Sequence, residues 1–159
     1  MFSEIFKLKE LSAKLGNDLS LIQASGGNTS IKLDGKLLVK ASGKKLKNAL
    51  NEDIFVSLDL TKIRNELAIN KSDQEINFKN ICGSNLRASI ETSLHAIMPY
   101  KVVLHTHSVD IIAITLMSNA LNYLKKSLKG MSWKFIPYYK PGITLANAIS
   151  NKLNDNPPK

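Results

Sequence analysis

The stretch SIETSLHAIMPYKVVLHTH, residues 89–107, changes period partway along and holds every histidine in the chain. From Ser89 to Met98 the apolar residues recur at helical spacing, and Pro99 should close that helix. Lys101 to His105 is short and β-branched, which predicts a strand. In a strand, residues i and i+2 share a face, so His105-Thr106-His107 aims two imidazoles at one point. Such a pair suits two neighbouring ligands of a zinc ion, although two ligands do not close a tetrahedral site. Taken alone, an HxH is more often a pair of surface or hydrogen-bonded histidines. Glu91 alters that balance. It stands at the start of the expected helix, four residues before His95, so the two share a helix side. A helix start favours an anion, and exposed N–H groups there suit a phosphate. Beside a metal, a carboxylate serves as general acid/base or as a further ligand; without one, Glu91 would merely complement the helix dipole.

Upstream, Ser3 is a candidate N-cap for a helix carrying Ile5, Phe6, Leu8, Leu11 and Leu15, with Gly16 its stop. ASGGNTS, from Ala24 to Ser30, is rich in small residues. Its glycines let a backbone approach an anion closely, and Asn and Ser add donors, though such loops are also common connectors. Ile31 to Leu33, Asp34-Gly35, and Leu37 to Val39 form a hairpin signal. Ser42-Gly43-Lys44 is a second small-residue turn of the same kind. Ile54 to Leu58 reads as another strand, whereas Thr61 to Asn80 shows no clear period. Downstream, Val109 to Met117, Leu121 to Leu128 and Leu145 to Leu153 read as helices, and Trp133 to Tyr138 as extended. Strands and helices intermix, so the class is α/β or α+β.

At 159 residues the chain is expected to be a single domain, residues 1–159. Its longest apolar run, Ile111 to Met117, falls far short of the ~20 residues that span a membrane. Charges thread the N-terminal residues, so no signal-peptide core is expected there. Cys82 is the only cysteine, which excludes an internal disulfide and fits a reducing compartment; the cytoplasm is the expected location, and Cys82 is expected to be buried or incidental. The net charge of +9 comes almost wholly from lysine, only Arg64 and Arg87 being arginine. Sequence-specific DNA readers favour the arginine fork. No zinc-finger spacing or aromatic RNA-binding signature accompanies the lysines. The expectation is a solvated basic surface, helpful to an anionic small substrate, with no nucleic-acid or membrane partner.

Taken in order, GGNTS (26–30), ASG (41–43), SIETSLH (89–95) and VLHTH (103–107), with Pro141-Gly142 and Leu145-Ala146 after them, resemble the class II aldolase/adducin family. The match runs through almost the whole chain, and its order is more specific than any one motif. The resemblance implies an α/β fold with a central, mainly antiparallel sheet flanked by helices, usually as a tetramer with sites between subunits. It implies Zn2+, or another divalent ion, held by His105 and His107, with Glu91 as catalytic acid/base. Gly27, Asn28, Ser42, Gly43 and Ser89 would line the phosphate of a small phosphorylated sugar. His95 matches a position that is usually not a ligand and would be structural or support the ligands. The implied activity is a lyase reaction, reversible aldol cleavage through a zinc-stabilised enediolate. Epimerase, dehydratase and non-catalytic, adducin-head-like roles are the alternatives. Two departures stand out. Ser89-Ile90-Glu91 replaces the usual Ser-Ser-Glu, removing one hydroxyl from the phosphate site. The family's third histidine, in an Asn-His-Gly-like strand, has no counterpart, since none follows His107. The domain is therefore expected to lack its C-terminal portion and to expose a sheet edge.

Overall fold

The computed structural model describes residues 2–69, 78 and 85–154. Helix α1 (Phe2–Gly16) leads into a four-stranded antiparallel sheet of β1 (Asn28–Leu33), β2 (Lys36–Lys40), β3 (Phe55–Asp59) and β4 (Val102–His105). The order across the sheet is β3-β2-β1-β4. Helices α2 (Leu60–Ile69) and α3 (Thr92–Ile97) lie between β3 and β4 in sequence. Helices α4 (Val109–Thr115), α5 (Ala120–Ser127) and α6 (Ile143–Asn154) follow β4. The expected mixture of helices and central antiparallel sheet is what forms.

Alternation along the strands decides which helices cover which face. Leu37, Val39, Val56 and Leu58 point to one face and pack with Leu60, Ile63 and Leu67 of α2, Ala96 of α3 and Ile143 of α6. Ile31 and Phe55 point the other way, against Leu8 and Ala13 of α1 and Leu46 of a short 3-10 turn. Two cores therefore sandwich one sheet, the arrangement that apolar residues on both faces require.

The β1–β2 hairpin turns at Asp34-Gly35, where both φ angles are positive (47° and 75°), as a two-residue turn between twisted strands demands. Register then does the positioning. Asn28 lies opposite His105 and Ser30 opposite Val103, so the start of β1 meets the end of β4. Because alternate residues share a face, Asn28, Ser30 and His105 turn toward α3, while Thr29 turns toward α1.

Several local expectations change. Helix α1 already begins at Phe2, so Ser3 lies inside it rather than capping it. The helix expected from Ser89 starts at Thr92; residues before it form a turn closed by Thr92 N–H donating to Ser89 O at 3.0 Å. It ends at Ile97, because Met98 precedes Pro99 and is extended (ψ 132°). Trp133 to Tyr138 joins no strand of the sheet. Without a neighbouring ladder, an apolar extended segment has nothing to pair its backbone with. The unassigned polar region opens with α2; Cys82 lies outside the described residues. Among the described residues, no helix is long and apolar enough to cross a membrane.

Candidate metal site

Glu91, His105 and His107 each offer a ligand atom, and these atoms all lie within 4.8 Å of one another. Three elements bring them together. His105 is the last residue of β4. His107 lies just beyond the strand, where its N–H donates to Leu21 O at 2.8 Å. Glu91 sits at the N-cap position of α3. The two imidazole rings are 5.0 Å apart, centre to centre, inclined at 64°. The strand argument thus gave the right neighbours although the strand stops at the first histidine.

The glycine pair makes the space. A Cβ on Gly26 would stand 2.8 Å from His107 Nδ1 and 2.9 Å from Gln23 O. Gly27, at φ +66°, would place one 2.9 Å from His105 O and closer still to Ile22. Both histidines therefore lean on a turn that tolerates no side chain. A sequence reading directs Gly27 to an anion; here it also lies directly against the histidine strand.

Glu91 is held from one side. Asn28 Nδ2 donates to Glu91 Oε2, and His105 Nδ1 lies 3.2 Å from the same oxygen. That histidine contact is out of line for a hydrogen bond, and His105 Nδ1 has no hydrogen-bond partner among the described residues. Burial pushes the Glu91 carboxyl up, but the His105 ring beside it, with smaller effects from the other histidines, brings it below the ordinary value. Two imidazoles and a carboxylate, with a buried ring nitrogen lacking a proton acceptor or donor, are a donor set that fits a divalent cation.

Behind this trio two buried pairs form, while His95 Nε2, Thr92 Oγ1 and Asn28 Oδ1 have no hydrogen-bond partner among the described residues. Ser30 Oγ and His95 Nδ1 share a buried hydrogen bond of 2.7 Å. Burial, with the charge of His105, lowers His95 to about 3, so this ring is neutral near pH 7. His95 points into the protein and is outside the trio. On the opposite face Ser12 Oγ shares a 2.7 Å bond with Thr29 Oγ1, tying α1 to β1.

The remaining sequence candidates gather at the two small-residue turns. Ser42 N–H donates to Arg87 O at 2.9 Å, and Arg87 Nη2 returns a bond of 2.9 Å to Ser42 Oγ. Ser89 Oγ accepts from Glu91 N–H at 3.3 Å, linking that segment to the trio. Gly43 has φ +76° and open space where a side chain would be. Lys40, which motif reading passed over, joins the turns. Its Nζ donates to Ser25 O at 2.9 Å and to Lys44 O at 2.8 Å. Desolvation lowers the Lys40 pKa, partly offset by the charge of Glu91. Its signal in the sequence was slight: one charge at the end of the apolar run Leu37-Leu38-Val39.

Residues 7–158 match the family described as the class II aldolase and adducin N-terminal domain. A Bacillus subtilis protein called an uncharacterized oxidoreductase, YuxG, is 32% identical over 157 residues. That match covers 90% of this chain but only 22% of YuxG, so the chain spans about a fifth of that relative's length. Among solved structures, the N-terminal class II aldolase domain of a conserved Thermoplasma acidophilum protein superposes with a TM-score of 0.80 at 29% identity. The match takes in 94% of this chain and 75% of that one. YgbL of Escherichia coli, whose reaction is given only as aldolase, epimerase or decarboxylase, superposes at 0.64 and 19% identity, over 94% of this chain and 69% of that one. The YgbL likeness concerns the fold alone.

Proposed function

Because the chain belongs to the class II aldolase and adducin N-terminal domain family, we propose that it is a metal-dependent lyase-type protein that reversibly cleaves a phosphorylated sugar. The observation carrying this reading is the Glu91–His105–His107 trio, with ligand atoms within 4.8 Å of one another. His105 and His107 hold the ion, zinc or another divalent metal, and Glu91 is the third donor within reach. When bound, a divalent ion supplies Lewis acidity that stabilises charge developing on a carbonyl oxygen.

The protein's own contribution is proton control. Both contacts to Glu91 fall on Oε2, leaving Oε1 without a hydrogen bond from the described residues. Aldol cleavage leaves an electron pair on the carbonyl fragment as an enediolate, and Glu91 returns a proton to its carbon. In the condensation direction, the lowered pKa keeps Glu91 a carboxylate ready to take that proton. Asn28 fixes the carboxylate's orientation. The same proton transfer begins an epimerisation or a dehydration, so these remain the nearest alternatives within the family.

Gly27, Asn28, Ser42, Gly43 and Ser89 are assigned to the substrate side of the site, next to the trio through the Ser89–Glu91 bond. The working protein is a homo-oligomer in this reading, since α4 buries none of its side chains although it is largely apolar.

Elemental analysis of the purified chain, before and after mild chelation, tests the proposal. It expects near one divalent ion per chain, lost in a His105→Ala/His107→Ala double variant. A correctly folded chain that takes up no zinc, cobalt or manganese when supplied would overturn the metal-dependent reading.

A further inference from the structure

Beside His105 Nδ1, three further buried side-chain atoms have no hydrogen-bond partner among the described residues: Asn28 Oδ1, Thr92 Oγ1 and His95 Nε2. Asn28 is 3% exposed, and Thr92 and His95 are 0% exposed. Polar atoms this deep are nearly always bonded to protein or to ordered water. All three belong to one seam, where β1 faces α3. Asn28 and Ser30 share a face of β1, roughly 7 Å apart along the strand. Each is bonded across the seam, Asn28 Nδ2 to Glu91 Oε2 and Ser30 Oγ to His95 Nδ1. In sequence Thr92 comes between those two partners, and it shares a helix side with His95, three residues on. The orphaned atoms therefore flank the interval between two cross-seam bonds.

Counting donors and acceptors fixes what suits that interval. The Glu91 carboxyl, held below its ordinary value, is ionised and only accepts. Asn28 therefore gives it Nδ2, and Oδ1 is left needing a donor. The His95 ring is neutral, so one nitrogen carries a proton. If Nδ1 carried it, both the Ser30 hydroxyl proton and a bare Nε2 would lack partners. With Ser30 Oγ donating to Nδ1, a single N–H at Nε2 is left over.

We propose that the β1–α3 seam binds one internal water molecule, which accepts from His95 Nε2–H and donates to Asn28 Oδ1 and Thr92 Oγ1. Three bonds are the usual complement of a buried water, and one acceptance with two donations matches the leftover groups. The water completes a chain from Ser30 through His95 and Asn28 to the Glu91 carboxylate. The amide that orients Glu91 is thereby held at its other end as well. The inference needs neither metal nor substrate and stands apart from the lyase reading.

The test is NMR of the full chain at pH 7 with its histidine ring nitrogens isotope-labelled. The His95 ring should carry its proton on Nε2, with Nδ1 a bare acceptor. In a rotating-frame experiment, which separates dipolar contact from exchange, that Nε2–H should show a cross-peak at the water frequency. A proton on Nδ1, or an Nε2–H in contact with no water, overturns the proposal, and neither readout needs a variant to fold. Urea unfolding of Thr92→Val gives an independent sign. Replacing a hydroxyl that holds the water strands the water's other partners, so the folded-to-unfolded ratio should fall at least about fivefold. A dry, orphaned hydroxyl would give the opposite result, because valine removes an unpaired polar group. A ratio unchanged or raised in Thr92→Val therefore refutes the water.

Discussion

At the scale of single residues, Glu91, Gly26 and His95 carry separate physical arguments. Glu91 is assigned proton transfer, so Glu91→Gln should lower turnover of a cleaved sugar phosphate by about 10²-fold or more, the usual worth of a positioned acid/base. Metal content should fall less than in the His105→Ala/His107→Ala double variant, because both histidines remain; full activity in the variant would remove Glu91 from the mechanism. Gly26→Ala tests the support beneath His107. The new Cβ meets both that ring and the fixed carbonyl of Gln23, and only the ring has room to yield. Loss of such support commonly costs roughly 10- to 100-fold in metal affinity, readable by cobalt titration. For His95 the sign follows from its depressed value of about 3 against an ordinary 6.5. The unfolded chain takes up this proton first as pH falls, so folding stability declines from about pH 6.5 downward and stops declining on this account near pH 3. Between pH 6.5 and 5, before most carboxylates titrate, urea unfolding should lose about 1.6 kcal/mol on this account, the slope approaching about 1.4 kcal/mol per pH unit only well below pH 6.5. A flat profile over that window would contradict the neutral, buried assignment.

Elements were legible in the sequence where a period or a turn signal was strong. The hairpin around Asp34-Gly35 and the β4 strand announced themselves through turn chemistry and β-branching, and α1, α4, α5 and α6 through helical spacing. Boundaries were not, because Ser89 to Glu91 has helical residues but is committed to a turn that Ser89 itself closes. Trp133 to Tyr138 carries strand residues without a ladder to join, a fact that lies in the sheet rather than in the segment. At the site, the histidine pair and Glu91 could be found from spacing and resemblance. Lys40 and Arg87 could not, since their meaning depends on which carbonyl or hydroxyl the fold brings to them. The pairing of β1 with α3 offers a check at this scale. Ser30→Ala leaves His95 Nδ1 buried without its partner and should cost about 1–3 kcal/mol in urea unfolding. Ser30→Thr keeps the hydroxyl and should cost less unless its added methyl overpacks the site.

Across the whole molecule, the two halves of the surface differ in a way that bears on assembly. One sheet face is covered by α1, the other by α2, α3 and α6, but α4 lies outside both cores. Leu116, at its C-terminal end, is 82% exposed, and Val109, Ile111 and Ile112 are exposed with it. Val102 and Leu104 of the edge strand β4 add to this apolar area. Exposed apolar side chains in this number are seldom left to water, and an edge strand invites pairing. Self-association is therefore expected, and sedimentation velocity over a dilution series should show a weight-average mass above that of one chain. Ile112→Asp with Leu116→Asp separates assembly from folding. Both side chains are already exposed in the single chain, so the thermal midpoint of the isolated subunit should move little. The same charges at a subunit contact would have to be desolvated, and the oligomer should dissociate at concentrations where the wild type remains assembled. An unchanged mass in the double variant would place the contact elsewhere, the open edge of β4 being the next surface to test.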